Sequence, residues 1–240
     1  WQKGKEKEMN YSMLFKTVIL CNENSGKRYV VRIAASTVYQ LFINGKFITT
    51  GPCRTAHGYY RVDEIDITED LDLGDNVVAI LVAGYNINNY YTLNQPSFLQ
   101  AEIVEETYGI VLAATGSCNP FYSRPYKERI KKTDKYSFQR TFTEVYKLNS
   151  NYNMLFTDVS IGDDFLVPTH TDSKKFIERR IPTYTHPECN VDKIIARGTC
   201  SFGEKPKEYL RTRHVANIGP MQLGYKYEEL DVCLEDVAQE

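Results

Sequence analysis

The sequence predicts an all-β protein, with a jelly-roll β-sandwich followed by a second, smaller or incomplete β-rich domain. Three observations support this fold class: short apolar or alternating segments recur at fairly regular intervals, turn residues punctuate them, and no stretch has the periodicity of a long amphipathic helix. Antiparallel sandwiches produce this combination because each strand turns back after a few residues. The length of 240 residues fits one domain and part of another.

The first half of the chain carries the strongest strand patterns. Residues 27–34 alternate between apolar and polar positions, and residues 38–43 do the same. Asn44-Gly45 supplies the two positive-φ positions of a type I′ turn, which predicts a hairpin with a return strand over residues 46–50. Further strands are predicted at residues 11–20, 60–65, 77–82, 98–104 and 110–114. Residues 77–82 are apolar on both faces, which is typical of a central strand.

Turn residues separate these segments. Turns and loops are predicted at residues 23–26, 51–58, 74–76 and 85–91. Leu71 and Leu73 are expected to be apolar anchors before the turn at 74–76.

The domain organisation follows from where these patterns weaken. Residues 1–10 are a polar lead-in, residues 11–148 form the sandwich, and residues 149–240 form a linker and the start of a second β-rich domain. The boundary is placed at the Asn-rich stretch 149–153. In the weaker part of the chain we predict a polar connector at 119–135, a last sandwich strand within 136–148, a crossing segment at 177–182, and short strands at 193–197 and 227–232.

Composition excludes several classes of partner and site. The net charge is −2 and no basic run is interleaved with aromatics, so we predict no nucleic-acid partner; the basic tract 127–135 is left open between a solvated connector and a polyanion site. The sequence contains no run of about 18 apolar residues, so we predict no membrane span. The six cysteines lie far apart without a CxxC pair, which argues against a zinc knuckle. Free thiols and the lack of a visible signal peptide favour a cytoplasmic location.

Catalytic signatures are not found either. The sequence contains no GxSxG, P-loop or GxGxxG motif, and the histidines His57, His170, His186 and His214 stand singly. Carboxylates come mostly as neighbours, such as Asp63 with Glu64 or Glu105 with Glu106. Neighbours on a strand point to opposite faces, so we interpret these acids as solvated turn residues. We therefore predict no catalytic residue, no metal and no cofactor.

A cluster of aromatic, amide and basic residues is the best candidate for ligand binding. Flat rings stack on sugar C–H faces, and amides and guanidinium groups pair with vicinal hydroxyls. These residues fall in loops or at strand ends near the hairpin, and Asn86 and Asn88 lie among them. The predicted carbohydrate-binding residues are Arg54, His57, Tyr59, Tyr60, Tyr85, Asn89, Tyr90 and Tyr91. The alternative is that they cap the sandwich edge or face another domain.

Residues 34–86 resemble the N-terminal β-sandwich of the bacterial α-L-rhamnosidases, a galactose-binding-like jelly roll. The matching features, in order, are Tyr39-x-Leu41-x-Ile43-Asn44-Gly45-Lys46, Gly51-Pro52-x-Arg54, Tyr59-Tyr60, Asp66-Ile67-Thr68 with Leu71, and Gly74-x-Asn76-x-x-Ala79. Hairpins and edges of this kind also occur in β-galactosidases, and Gly-Pro-x-Arg makes the ordered set more specific. Looser matches are Tyr136-Ser137-Phe138-Gln139-Arg140 with Glu144, and Arg179-Arg180-Ile181-Pro182.

The resemblance implies a non-catalytic role. In that family an (α/α)6 barrel further along carries the acids that act on the sugar, and no match to it occurs here. The resemblance therefore implies an accessory region of a glycoside hydrolase that braces the catalytic domain of the same polypeptide and binds a rhamnose-containing glycan. Two alternatives stay open: a stand-alone lectin-like protein, and a structural module that binds no sugar.

Overall fold

The protein is a sandwich of two five-stranded sheets. The computed structural model describes residues 1–23, 26–135, 139–169, 172–187, 189–196, 224–225 and 229–231. In chain order the elements are β1 (Met13–Cys21), β2 (Tyr29–Ala35), β3 (Tyr39–Ile43), β4 (Lys46–Gly51), β5 (Tyr59–Asp66), β6 (Gly74–Val82), β7 (Leu99–Glu105), β8 (Ile110–Ala114), β9 (Tyr122–Pro125), the short helix α1 (Met154–Thr157) and β10 (Lys175–Glu178). The predicted all-β class is confirmed.

The first sheet has the strand order β4-β3-β6-β1-β9 and is buried on both faces at its centre. β6 pairs antiparallel with β1 and with β3. One face of this sheet packs into the main core, while Leu14 and Ala79 on the other face contact Phe156 and Phe165 from the segment around α1. This double cover explains why residues 77–82 are apolar on both faces, and the predicted central strand is confirmed.

The second sheet has the order β10-β5-β2-β7-β8, with β2 between β5 and β7. Val31 and Ile33 point into the core, and Arg32 points outward. The Arg32 guanidinium lies 3.0 Å from Glu64 and 3.1 Å from Glu102 on the neighbouring strands. These partly exposed ion pairs cover the outer face, which accounts for the alternation in the sequence of β2.

The predicted Asn-Gly hairpin joins β3 to β4. Asn44 and Gly45 have φ values of 48° and 82°, both in the left-handed region. The Asn44 side chain also connects the hairpin to β6: its Nδ2 donates to Asn76 Oδ1 at 2.8 Å, and its Oδ1 accepts from the Val77 backbone N–H at 2.8 Å. Asn44 therefore serves both the turn and the sheet.

Replacing Asn44 by alanine is expected to lower the free energy of unfolding by about 2 kcal/mol, because left-handed strain and three lost side-chain hydrogen bonds, one of them to the exposed Asp72, add together. Urea denaturation of the purified variant measures this change. Lys46→Ala is the control, since its ion pair with Asp70 is mostly exposed and is expected to contribute less than about 1 kcal/mol. Equal effects of the two changes would contradict the dual role of Asn44.

The predicted turn at residues 74–76 is wrong. All three residues belong to β6 and pair with β1, Gly74 opposite Cys21 and Asn76 opposite Ile19. The chain reverses earlier, where the buried Asn76 side chain accepts from the Asp72 backbone N–H and donates to the Asp72 carbonyl. The asparagine that suggested a turn at residues 74–76 instead forms a side-chain bridge to the backbone of Asp72. Leu71 is buried as predicted, but Leu73 is 71% exposed and is not an anchor.

The second half adds to the same sandwich. β9 lies within the predicted connector 119–135 and pairs with β1, so that expectation is wrong for residues 122–125. β10 overlaps the predicted crossing segment and pairs in parallel with β5. Residues 139–148 contain isolated bridges at Phe142 and Tyr146 and no strand, while residues 136–138 of that prediction lie outside the described residues. The division of the chain after residue 148 stays a prediction.

Other expectations in this half fall largely outside the described residues. Residues 193–196 are irregular, while residue 197 and most of 227–232 are not among those described. The same holds for His170, His214, Cys200, Cys233 and the centre of the turn at 23–26. Within the described ranges, Cys21, Cys53, Cys118 and Cys189 form no disulfide with one another. Among the described residues no helix has the length and hydropathy needed to cross a membrane.

The polar lead-in packs against the sandwich. The Trp1 ring is buried in the main core, 5.9 Å from the ring of Phe15. Asn86 donates through Nδ2 to the carbonyls of Glu6 and Glu8, at 3.1 Å and 2.8 Å. Residues 1–10 are thus held on the β6–β7 loop by backbone acceptors, which a count of apolar residues does not predict.

Candidate functional site, a pocket at one end of the sandwich

The loops β2–β3, β4–β5 and β6–β7 all cross between the sheets at the same end of the sandwich and enclose a pocket of about 540 Å³. Its lining includes every one of the predicted carbohydrate-binding residues: Arg54, His57, Tyr59, Tyr60, Tyr85, Asn89, Tyr90 and Tyr91. Predicted residues from two separate segments of the sequence, 54–60 and 85–91, therefore meet around one cavity. Their role in binding sugar stays a prediction.

These residues differ in how far they reach the cavity. Tyr59, Tyr90 and Tyr91 are 44%, 69% and 49% exposed at the rim, and Arg54 and His57 are exposed beside them. Tyr60 is half-buried and lines the cavity. Tyr85 is buried in a small cluster with Ile87 and Phe142, and forms part of the wall behind the rim.

Tyr60 forms the floor of the pocket. Its hydroxyl donates to Gln95 Oε1 at 2.9 Å, and its ring meets Phe98 edge-on at 4.6 Å. Gln95 in turn donates through Nε2 to the Ser36 carbonyl at 2.8 Å. Partial burial raises the pKa of Tyr60, so its hydroxyl stays protonated and remains a donor at neutral pH. Strand β5 and the β6–β7 and β2–β3 loops contribute to this floor through Tyr60, Gln95 and Ser36.

A local turn presents the rim tyrosines. Asn89 Oδ1 accepts hydrogen bonds from the backbone N–H groups of Tyr91 and Thr92, at 2.7 Å and 2.8 Å. Thr92 donates through its hydroxyl to the Ile87 carbonyl at 2.8 Å. This Asx-type turn satisfies the loop backbone internally and leaves the rings of Tyr90 and Tyr91 on the outside. Asn89 is thus a positioning residue.

Two arginines lie beside the Tyr91 ring. The guanidinium of Arg54 is 4.9 Å from the ring centroid, and that of Arg140 is 4.7 Å from it. Both distances are within the range of cation–π attraction. Arg140 lies within the predicted last sandwich strand and is not among the predicted carbohydrate-binding residues, so its presence here was not predicted. Thr141 and Arg61 also line the pocket without having been predicted.

A buried ion pair underlies the β4–β5 loop. Arg179, just after β10, donates through Nη1 to Asp63 Oδ1 at 3.1 Å, and the Tyr39 hydroxyl donates to Asp63 Oδ2 at 2.6 Å. Both side chains of the pair are almost fully buried. Asp63 is therefore not the solvated turn acid that was predicted, and Glu105 is also buried, because both face inward on their strands.

Asn86 and Asn88 do not line the pocket. Asn86 is buried, where it binds the lead-in, and Asn88 accepts through Oδ1 from the Asn94 backbone N–H at 2.8 Å. Both amides hold the long β6–β7 loop in shape. Asn86 is turned inward and Asn88 is exposed outside the pocket lining, so neither amide faces the cavity.

The described residues contain no group of three or more His, Cys, Asp or Glu side chains arranged to hold a metal ion. The pocket lining among them carries no Asp or Glu, but includes Arg54, Arg61, Arg140 and His57. The arrangement can stack flat faces, donate hydrogen bonds and attract negative charge.

Comparison with solved structures shows where this fold occurs. The GH78 family rhamnosidase of Bacillus sp. GL1 is similar with a TM-score of 0.65 and 23% identity, over 76% of this chain and 20% of that one. The α-L-rhamnosidase of Dictyoglumus thermophilum gives a TM-score of 0.49 and 18% identity, over 72% of this chain and 19% of that one. That of Streptomyces avermitilis, complexed with L-rhamnose, gives 0.45 and 18%, over 70% and 16%.

No known family model matches the sequence, and no curated protein sequence does. The chain spans about a fifth of the length of the solved rhamnosidases. The likeness predicted from the ordered motifs between Tyr39 and Ala79 is confirmed as one of fold: this chain has the all-β architecture of a partial region of the Bacillus sp. GL1 rhamnosidase.

Proposed function

We propose that the chain is a non-catalytic accessory region of an α-L-rhamnosidase-like glycoside hydrolase, and that it binds a glycan in the pocket at the end of the sandwich. The observation that carries the proposal is the convergence of all the predicted sugar-contacting residues around one open cavity. The fold likeness to part of a rhamnosidase supports the choice of a carbohydrate ligand.

The rim has the chemistry that a sugar requires. The exposed rings of Tyr90 and Tyr91 offer flat apolar faces for sugar C–H groups, and the guanidinium of Arg54 offers paired donors for vicinal hydroxyls. The floor tyrosine is already hydrogen-bonded, which keeps the cavity in shape before a ligand arrives. A preformed site loses less conformational entropy on binding.

A bracing role toward the catalytic domain of the same polypeptide is supported by a different feature. Large apolar side chains of the irregular segment after β10 are exposed, among them Ile181, Tyr184 and Val191. Apolar side chains that follow one another on the surface favour contact with another protein surface. This role and glycan binding use separate parts of the chain and are compatible.

Replacing Tyr91 by alanine is expected to weaken glycan binding at least tenfold, which is about 1.4 kcal/mol, because a stacking face is lost and two guanidinium groups lose their shared ring. Isothermal titration with L-rhamnose and rhamnose-containing oligosaccharides measures the affinity. The matched control is Tyr108→Ala, since Tyr108 is 72% exposed in the β7–β8 turn and does not line the pocket.

Equal affinity of the two tyrosine variants would contradict the location of the site. No heat and no chemical-shift change with any sugar at tens of millimolar would favour the structural module over a glycan-binding region. Circular dichroism of both variants checks that each change leaves the sandwich folded.

A further inference from the structure

We infer that the pocket selects an acidic sugar, a glycan unit that carries a carboxylate or a sulfate group. The inference rests on the proposed glycan-binding function and goes beyond it by naming the class of ligand. Its basis is the pair of guanidinium groups, Arg54 and Arg140, that lie within 5 Å of the Tyr91 ring centroid at the pocket rim.

The charge of the lining is one-sided. Its described residues include three arginines and a histidine, and no carboxylate. On the outer face of the second sheet, by contrast, Arg28 is paired with Asp66, and Arg32 is paired with Glu64 and Glu102. Among the described residues no carboxylate lies within 4.0 Å of Arg54 or Arg140. A concave surface lined by one sign of charge raises the local concentration of the opposite sign.

The two guanidinium groups place their positive charges around one ring. Each lies within 5 Å of the Tyr91 ring centroid, so both attract an anion that binds at this part of the rim. Such an anion can also gain charge-assisted hydrogen bonds from a guanidinium group. The planar donor fork of arginine fits a carboxylate or sulfate oxygen pair.

Arg61, the third arginine of the lining, holds the backbone of Arg54 in place. Arg61 donates through Nε to the Arg54 carbonyl at 3.0 Å and through Nη1 to the Glu178 carbonyl at 2.8 Å. It thereby attaches the β4–β5 loop, which carries Arg54, to β10. Because the backbone of this loop is held by hydrogen bonds, the position of Arg54 is more restricted before a ligand binds than that of an arginine on a mobile surface loop.

The competing explanation is that the arginines only brace Tyr91 through cation–π contacts. Under that explanation, removal of the two arginines lowers the affinity for acidic and neutral sugars equally, because only the orientation of the Tyr91 ring changes. Selection of an acidic sugar predicts that their removal weakens the acidic sugar more than the neutral sugar and so abolishes the preference for the acid. Comparing an acidic sugar with its neutral counterpart therefore distinguishes the two explanations.

The test is titration of the 240-residue chain with methyl galactoside, methyl galacturonoside and galactose 6-sulfate, followed by calorimetry or NMR at two salt concentrations, with L-rhamnose as a further neutral sugar. We expect the acidic sugars to bind about threefold to tenfold more tightly than methyl galactoside, with the preference falling as salt rises. The carboxylate and sulfate arms distinguish the two sources of negative charge.

The double variant Arg54→Gln, Arg140→Gln is expected to lose this preference, because its affinity for the acidic sugars falls further than its affinity for the neutral sugars. The matched control Lys127→Gln, Arg180→Gln removes the same charge from exposed positions outside the pocket lining and should keep the preference. Equal binding of acidic and neutral sugars, or equal weakening of both in the arginine variant, overturns the inference and leaves the proposed function standing. Failure of every sugar to bind overturns the proposed function, and the inference with it.

Discussion

Replacing Asp63 by alanine is expected to lower the free energy of unfolding by about 3–5 kcal/mol, the cost of leaving one member of a buried ion pair without its partner. Arg179 would lose the carboxylate 3.1 Å from its Nη1, and the Tyr39 hydroxyl would lose its acceptor. Burial and the neighbouring Asp63 carboxylate raise the pKa of Tyr39, so the hydroxyl stays a donor throughout the neutral range and has no way to replace the missing charge.

Urea denaturation followed by tryptophan fluorescence measures the effect, because Trp1, the single tryptophan, is buried in the main core. The control is Asp66→Ala, which removes an exposed partner of Arg28 on the same strand and is expected to cost less than about 1 kcal/mol. Asp63→Asn keeps an acceptor for Tyr39 and should lie between them. Similar stabilities of the Asp63→Ala and Asp66→Ala variants would contradict a buried, stabilising pair.

The parts of the fold that could be predicted are those whose signals are local. Asn44-Gly45 fixes a hairpin because two adjacent residues tolerate positive φ, and no distant contact is needed to recognise it. The alternation of residues 27–34 and the apolar run of β6 report directly on which faces are buried. The predicted site residues converge for the same reason, since each flanks a predicted strand and those strands end at one edge of the sandwich.

The parts of the fold and of the site that could not be predicted depend on contacts between distant segments of the chain. β9 is predominantly polar, and only its pairing with β1 makes it a strand. Arg140 enters the pocket from a segment that follows the sandwich strands by some distance, and nothing in its own neighbourhood indicates the Tyr91 ring. Asp63 looks like its neighbours Glu64 and Asp66, and its burial follows from the arrival of Arg179 across the parallel β5–β10 pair.

Gly51→Ala is expected to lower the free energy of unfolding by about 3 kcal/mol, because a methyl group has no room at this position. A Cβ at Gly51 would overlap the Asp63 carboxylate and would lie 2.6 Å from the Tyr39 hydroxyl oxygen. Both neighbours are buried and joined by a hydrogen bond, so neither can move without disturbing the ion pair with Arg179. The strain falls at the end of β4, where the loop that carries Arg54 and His57 begins.

The same substitution therefore tests the connection between the buried pair and the pocket. If the β4–β5 loop is held in place from below by Asp63, Gly51→Ala should weaken sugar binding as well as stability, measured by calorimetry below the unfolding transition. Gly162→Ala is the matched control: the nearest atom to its added Cβ is 3.3 Å away, at the end of the Asp164 side chain, and a change below about 1 kcal/mol is expected. A Gly51→Ala variant that loses stability but binds sugar with unchanged affinity would contradict the connection between the buried ion pair and the pocket. It would show that the rim is held by Arg61 and the β6–β7 loop alone.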